Sequence, residues 1–432
     1  MCHKPGIAKI KPRLQRTGRV LDCPRLNSAY APARTVYRPT ILRPSALAFP
    51  SLHCFTLHPS PFTLRRFRLL YLELLIPALP WPGDDAAEVL HAAAAPTLAG
   101  WLSRSTRRPK IAMDADRWLW QRFTAPAACQ GVTGSPGSAP MSRDLPMAPV
   151  TLALDGQAPG QRWWMRADPV HFVVGRTALR LAPPGHLQLR AEESDALAQS
   201  VRAHFPHLAP DFLAPGPARW YLGADQPFEL DTTAPADAIG DDVDRNLPRG
   251  PGRRHWLGFV NEVQMLWFEH PVNQAREARG EPTASGLWLH GPGRMPAPGL
   301  PGCTGSAGGG ERLAALAALA GCRWIDTGHG VQHWLGQAID GHWLLSLDTL
   351  LPQRQAGDPS GWREALARMD AQWLAPLDAA LRRGAIGAID LRWPSRGGLS
   401  SARIASSDRF RFWRRRRSLA ALLADPGGRS NA

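Results

Sequence analysis

Apolar positions along the chain fall into two patterns. Short continuous runs bounded by Pro, Gly or charged residues mark strands, and stripes recurring every three or four residues mark helices. Leu70-Tyr71-Leu72 and Leu74-Leu75-Ile76, ended by Pro77, predict a buried strand. Strands are also predicted at 163–165, 171–174, 178–181, 219–222, 287–290, 343–347 and 386–393, with 402–405 pairing with the last. Between them, helices are expected at 84–90, 96–102, 114–123, 191–205, 312–320 and 359–383, the last capped by Ser360 and stopped by Gly384.

The most ordered helical stripe lies at 253–269. Trp256, Phe259, Val263, Leu266 and Trp267 share one side; Asn261, Gln264, Met265 and Phe268 share the other. A helix apolar on two sides is expected to be sandwiched, with its amides finding buried partners. His270-Pro271 ends it, and Asn273 is expected to cap a short helix closed by Gly280.

Alternating strands and helices predict an α/β fold with mixed sheets and packed helices. The expected division is a main α/β domain at 70–295, a Gly/Pro-rich linker at 296–311 and a C-terminal α/β portion at 312–432 ending in a basic tail. Residues 1–69 keep no apolar period and are expected to lie outside the fold. They read as a disordered basic arm, as a transit peptide, or as the product of a start placed too far upstream; the third is favoured, because patternless Arg and Pro is what a translated GC-rich leader gives.

The formal net charge of +15 suggests a polyanion partner until it is mapped. Residues 1–70 hold thirteen Lys or Arg and one acid, Asp22, leaving 38 basic and 35 acidic residues beyond. That near-neutral body argues against a nucleic-acid binder. No long apolar segment or secretory signal is found, so the expected location is the cytoplasm, with no membrane partner. Six Cys in so long a chain predict no disulfide framework.

Five constellations carry candidate chemistry. Arg276, Arg279 and Arg294, with the loop Gly291 to Gly293, suit a phosphorylated or carboxylated ligand, because guanidinium forks match such groups and glycine lets backbone N–H groups approach. Asn261, Glu262 and Gln264 line either a polar pocket or a packing network. Asp168, His171 and His270 are acid–base candidates. Asp326, His329 and His333 have metal-ligand residue types, but Gly328 and Gly330 speak against the helix that would align them. Arg409, Arg411 and Arg414 to Arg417, interleaved with Phe410, Phe412 and Trp413, form a basic end read either as a nucleic-acid contact or as a solvated face with its aromatics packed inward.

Several stretches carry a resemblance. Asn261-Glu262-Val263-Gln264-Met265, His270-Pro271-Val272-Asn273-Gln274-Ala275-Arg276, and Leu287-Trp288-Leu289-His290-Gly291-Pro292-Gly293-Arg294 resemble the RpfE-type family of proteobacterial regulatory proteins. Leu74 to Pro80, Ala167 to His171, Arg219 to Tyr221 and Trp373 to Leu377 extend the likeness over about 70–417. Many members carry the label phosphoglycerate mutase. The segment from His270 to Gly293 is similar to archaeal-type cofactor-independent phosphoglycerate mutases, of the alkaline phosphatase superfamily. That likeness implies a degenerate alkaline-phosphatase-like architecture and, in an active mutase, two divalent metals and a Ser nucleophile. Here the first strand leads into Pro77-Ala78-Leu79 with no carboxylate, and Ser285-Gly286 stands where the family pattern has Asn.

The expected function is a non-catalytic or regulatory protein with a pocket for a phosphorylated small molecule and no cofactor. That pocket is placed between the 253–269 helix and the 287–290 strand, near Arg276 and Arg294. The alternatives are a phosphoglycerate mutase or related metal-dependent phosphotransferase, and a nucleic-acid-binding regulator using the Arg tail.

Overall fold

The first apolar run is strand β1 (Leu70–Leu75), with every leucine buried. The computed structural model describes residues 70–126, 144–175, 178–183, 185–338, 340–411, 413–415 and 417–423. The expected extension at 1–69, and Phe412 and Arg416 of the tail, lie outside the described residues. All described residues belong to one unit, Arg65–Ala432.

The remaining strands are β2 (Thr106–Ile111), β3 (Trp163–Val170), β4 (Phe172–Val174), β5 (Leu179–Leu181), β6 (Phe212–Gly216), β7 (Arg219–Ala224), β8 (Gly286–Gly293), β9 (Gly305–Gly308), β10 (Arg323–Ile325), β11 (Gly341–Ser346), β12 (Ile386–Ser395) and β13 (Gly398–Ala405). A seven-stranded sheet runs β10-β9-β11-β1-β12-β13-β2. Its pairings from β10 to β12 are parallel; β13 and β2 add antiparallel pairings at one side. β1 lies inside because apolar side chains leave both of its faces: Leu72 and Leu74 join one core and Leu75 the other. The expected α/β class with a mixed sheet and packed helices is what the chain adopts.

A four-stranded antiparallel sheet, β6-β7-β3-β8, comes from the middle of the chain. Met165 and Ala167 of β3 point into a core with Phe259, Val263 and Trp267. Trp164 on the opposite face packs with Tyr221 against Ala148 and Leu152 of helix Met147–Leu154. That helix also contacts helix Gly310–Leu319, which packs on the large sheet.

Three expectations change. First, the 296–311 stretch contains β9, whose four residues are all buried within the large sheet. It reads as a linker because Gly305 must be small: a Cβ there would lie 2.5 Å from the Trp343 ring. Accordingly β1 and β2 join β9 to β13 in one sheet, and the small sheet is contributed from between them, rather than the chain dividing at 296–311.

Second, helix Arg253–Phe268 buries only one side. Phe259, Val263 and Trp267 are buried, whereas Met265 and Phe268 are 69% and 83% exposed. Asn261, Glu262 and Gln264 are also exposed, so the expected sandwich and its buried amides are not formed. Third, the helix after it is Pro271–Ala278, capped by His270, whose Nδ1 accepts from the Val272 N–H at 3.2 Å. Asn273 is one turn further in, and buried.

Candidate functional site

The candidate face is set by the period of the small sheet. Arg166 and Asp168 on β3, Arg219 and Tyr221 on β7, and His290 on β8 leave the face opposite the apolar core. Register places Arg166 directly opposite Tyr221 on one neighbour and His290 on the other. Three polar side chains thus stand in a row across three strands.

The row is tied by charge. Arg166 donates to both oxygens of Asp168, from Nε at 2.9 Å and from its terminal nitrogen at 2.7 Å. Its other terminal nitrogen donates to Glu311 at 2.7 Å and to the Thr151 hydroxyl at 3.2 Å. Asp168 further accepts from the Trp220 N–H at 3.2 Å and from Nε2 of His290 at 2.9 Å. Exposure of Arg166, Asp168 and His290 is 6%, 8% and 8%, so the chain of charges is held in a low-dielectric setting where unpaired members would be costly. Burial alone would raise the Asp168 carboxyl, but Arg166 and His290 outweigh it and hold it below the usual range. Asp168 therefore stays ionised and accepting. Nε2 of His290 is committed to this carboxylate.

A second chain runs beside the first. Arg219 binds both oxygens of Asp155 through Nε, each at 2.9 Å, and reaches Glu311 at 3.4 Å. The Tyr221 hydroxyl donates to Asp155 at 2.6 Å, and burial, first among its causes, pushes that phenol up so that it stays protonated. Glu311, in the first turn of helix Gly310–Leu319, thus spans Arg166 and Arg219.

These groups line a cleft of about 390 Å³, with Thr151, Arg166, Asp168, Arg219, His290 and Glu311 on its polar side. Apolar walls come from Val170, Leu181, Leu187 and Ala234, among others. Asp144 and Arg312 also line it. Asp144 accepts from the Gly291 N–H at 2.6 Å and the Thr232 hydroxyl at 2.9 Å. Gly291 needs its left-handed backbone, φ 62°, to present that N–H. Arg312 pairs with Asp116. Nearby, burial and then Asp116 push the Asp237 carboxyl up to about 6.

The predicted residues are placed as follows. Asp168 lies at the centre of the buried row, and His171 sits on the cleft lining with Nδ1 2.8 Å from the Thr283 carbonyl. His270 serves as the helix cap, with its imidazole lowered by burial. Asn261, Glu262 and Gln264 face outward; Glu262 comes within 3.6 Å of His204. Asn273 donates to the carbonyls of Trp267 at 2.8 Å and Ala284 at 2.9 Å and accepts from the Ala284 N–H at 2.9 Å, pinning the helix end to the segment that leads into β8.

Arg276 is 2% exposed and spends its guanidinium on the carbonyls of Pro282 and Leu187 and on Glu193. Arg279 pairs with Glu193 at 2.6 Å and Glu281 at 2.9 Å. Gly293 packs on Pro146, and Arg294 lies over the Trp163 ring at 5.1 Å. The interface expected to hold a pocket is filled by Phe259, Val263, Trp267, Leu287 and Leu289. The cleft lies on the other face of the same sheet.

Sequence pattern alone assigns no role to Arg166, Arg219, Tyr221, His290 or Glu311. The available signal was charge at every second position of an otherwise apolar strand, Arg166 and Asp168.

The basic tail is partly used inside the fold. Arg411 and Arg414 donate to the Arg104 carbonyl at 3.0 and 3.2 Å, at the C-terminus of helix Pro96–Arg104. Phe410 and Trp413 are 60% and 67% exposed, unlike the inward packing expected. Contrary to the glycine-based expectation, Gly330–Gln337 is helical; the His329 and His333 rings meet tilted, with centroids 4.9 Å apart, and Asp326 accepts from the Gly328 N–H.

The mutase resemblance implies two divalent metals, and the donors of β1 do not fit. Ile76, Ala78 and Leu79 at its end are fully buried and apolar. Among the described residues, no group of three or more His, Cys, Asp or Glu is placed to hold a metal ion. No helix among them is long and apolar enough to cross a membrane.

No family model matches the chain. Local likeness is found to the 2,3-bisphosphoglycerate-independent phosphoglycerate mutase of Methanosarcina mazei, 31% identical over 68 residues, 16% of this chain and 17% of that protein. The enzyme of the same description from Methanosarcina acetivorans is 32% identical over 74 residues, 17% of this chain and 19% of that protein. The match thus spans less than a fifth of those proteins' length. Among solved structures, the PH0037 protein from Pyrococcus horikoshii covers 78% of this chain and 87% of its own, at a TM-score of 0.46 and 14% identity. The cofactor-independent phosphoglycerate mutase from Thermoplasma acidophilum covers 78% and 90%, at 0.37 and 16%. Over part of its length, this chain is similar to cofactor-independent phosphoglycerate mutases.

Proposed function

We propose that this chain is a phosphoglycerate mutase-like protein that binds a small phosphorylated acid in the cleft above Arg166, Arg219 and His290. One observation carries the reading: Glu311 already presents a carboxylate to both guanidinium groups at the cleft wall. A phosphate or carboxylate matches the same edges. The local likeness to the two Methanosarcina proteins supplies the ligand class. His290, held by Asp168, is the group that would accept a proton from a ligand hydroxyl.

The test is titration of 3-phosphoglycerate by calorimetry, with glycerate and inorganic phosphate as controls, alongside ³¹P NMR of 2- and 3-phosphoglycerate interconversion with added Mn²⁺. Expected is saturable binding that weakens about tenfold or more in Arg219→Ala. No binding at millimolar 3-phosphoglycerate sinks the reading.

A regulatory role without turnover, as the RpfE-type resemblance implies, is favoured by the apolar end of β1, which offers no metal donor. Saturable binding with no interconversion selects it. Interconversion selects the mutase.

A further inference from the structure

Cys303 and Cys322 stand apart from the cleft chemistry. Each precedes one of two neighbouring parallel strands, β9 and β10, which pair Gly305 with Arg323. Their sulfur atoms are 3.6 Å apart, and both residues are half-buried, open to a small reagent. The stretch between them holds β9 and helix Gly310–Leu319, which carries Glu311 and Arg312 to the cleft. The other four cysteines, Cys2, Cys23, Cys54 and Cys129, lie elsewhere in the sequence.

We propose that Cys303 and Cys322 form a peroxide-oxidised dithiol, a modification site that closes the β9–β10 crossover with a disulfide. The geometry supplies the attacking sulfur and its resolving partner side by side. The electrostatics agree: the hydrogen bond from Cys303, then the Ser306 hydroxyl, pull the Cys322 thiol down to about 7, while Cys303 is pushed up. A thiol so placed is substantially ionised near neutral pH and is the nucleophile.

The Cys322 thiolate attacks one oxygen of hydrogen peroxide; the S–O bond forms, the O–O bond breaks, and hydroxide leaves as water after taking a proton. Cys303 then gives up its proton and attacks the Cys322 sulfur; the S–S bond forms, the S–O bond breaks, and a second water leaves. Two thiols are oxidised and one peroxide is reduced. The crosslink shortens the unfolded chain's freedom across the crossover and raises the melting temperature.

The experiment uses the full reduced chain, treated with stoichiometric hydrogen peroxide, alkylated and digested with trypsin. Expected is one linked pair, the peptide 295–312 joined to 313–323, lighter by two hydrogens than the sum of its parts, and a melting temperature about 5 °C higher. Cys322→Ser abolishes the link. Cys303→Ser stops at a sulfenic acid on Cys322, trapped by dimedone. The proposal is overturned if both thiols stay alkylatable under peroxide, if either pairs instead with one of the other four cysteines, or if dimedone labels Cys303 rather than Cys322.

Discussion

Arg276 and Arg166 are both nearly inaccessible and both carboxylate-paired, yet they serve different ends. Arg276 lies on the helix side, where its guanidinium closes on two backbone carbonyls and Glu193. Nothing is left over, and the neighbouring interface is filled with Phe259, Val263 and Trp267. Arg166 lies on the opposite face and binds only side chains, Asp168, Glu311 and Thr151, each of which lines the cleft. Backbone acceptors fix a loop; side-chain acceptors beside open volume can be exchanged. An arginine predicted to bind ligand from its sequence setting is therefore read better by its partners than by its burial.

The largest effects should come from breaking each network at its buried member. Arg276→Ala leaves the Pro282 and Leu187 carbonyls without their donor, and Asp168→Ala takes from the buried Arg166 its two-pronged partner, so each is expected to lower stability by about 3–5 kcal/mol in urea denaturation. The comparison is sharpened by the second readout. In the fraction that folds, Arg276→Ala keeps wild-type affinity for 3-phosphoglycerate, whereas Asp168→Ala loses it, because Arg166 and His290 lose their shared anchor. Equal affinity losses in both variants would erase the distinction between the two faces.

A middle-sized effect tests the surplus of acid near the cleft. Asp237 keeps an exposed edge, but packing around its carboxyl and the charges of Asp116 and Asp144 push it up to about 6 from 3.8. A proton is thus held more tightly in the folded chain than in the unfolded one. The resulting stability is full below about pH 4 and is lost as pH rises through 6. Asp237→Asn is expected to raise stability at pH 7.5 by about 1–2 kcal/mol, discounted for partial exposure, and to change little at pH 3.5. The same midpoints at both pH values would show that the carboxyl carries no such strain. No counterpart of this group stands beside Arg276, where Glu193 is held below its usual range; burial opposes that shift, but hydrogen bonds from the Arg190 backbone and Arg276 prevail.

Much of the scaffold was legible because its signals are local. The β1 run, the Trp343 strand and the 386–393 strand need only their own sequence to be read. β9 was not legible: Gly305-Ser306-Ala307-Gly308 has a linker's composition, and its reason is the Trp343 ring 2.5 Å from where a Cβ would stand, a contact made 38 positions along the chain. The outward half of helix Arg253–Phe268 failed for the opposite reason. Met265 and Phe268 are apolar, but no element among the described residues covers them, and periodicity reports residue type rather than what lies opposite. The site was half legible. Asp168 is singled out by its residue type, but its partners Arg166 and His290, and Arg219 beside them, sit on three strands whose adjacency is set by register, which a single sequence does not display.

The smallest effect separates a ligand site from a stable ion network most directly. Glu311 is 36% exposed on its side chain and bridges Arg166 to Arg219, so it occupies the edges an anionic ligand would need. Glu311→Gln keeps the shape and removes the charge. The two guanidinium groups then lose a competitor, and affinity for 3-phosphoglycerate should rise about tenfold, near 1.4 kcal/mol, with little loss of stability at so exposed a position. The matching change on the other face, Arg279→Ala, relieves Glu193 and Glu281 of an exposed partner and should leave that affinity untouched. Calorimetric titration of both variants decides the matter. If Glu311→Gln binds no better than wild type while Arg219→Ala still weakens binding, the ligand approaches Arg219 from outside the Glu311 bridge. The row of Arg166, Asp168 and His290 would then orient the site rather than receive the anion.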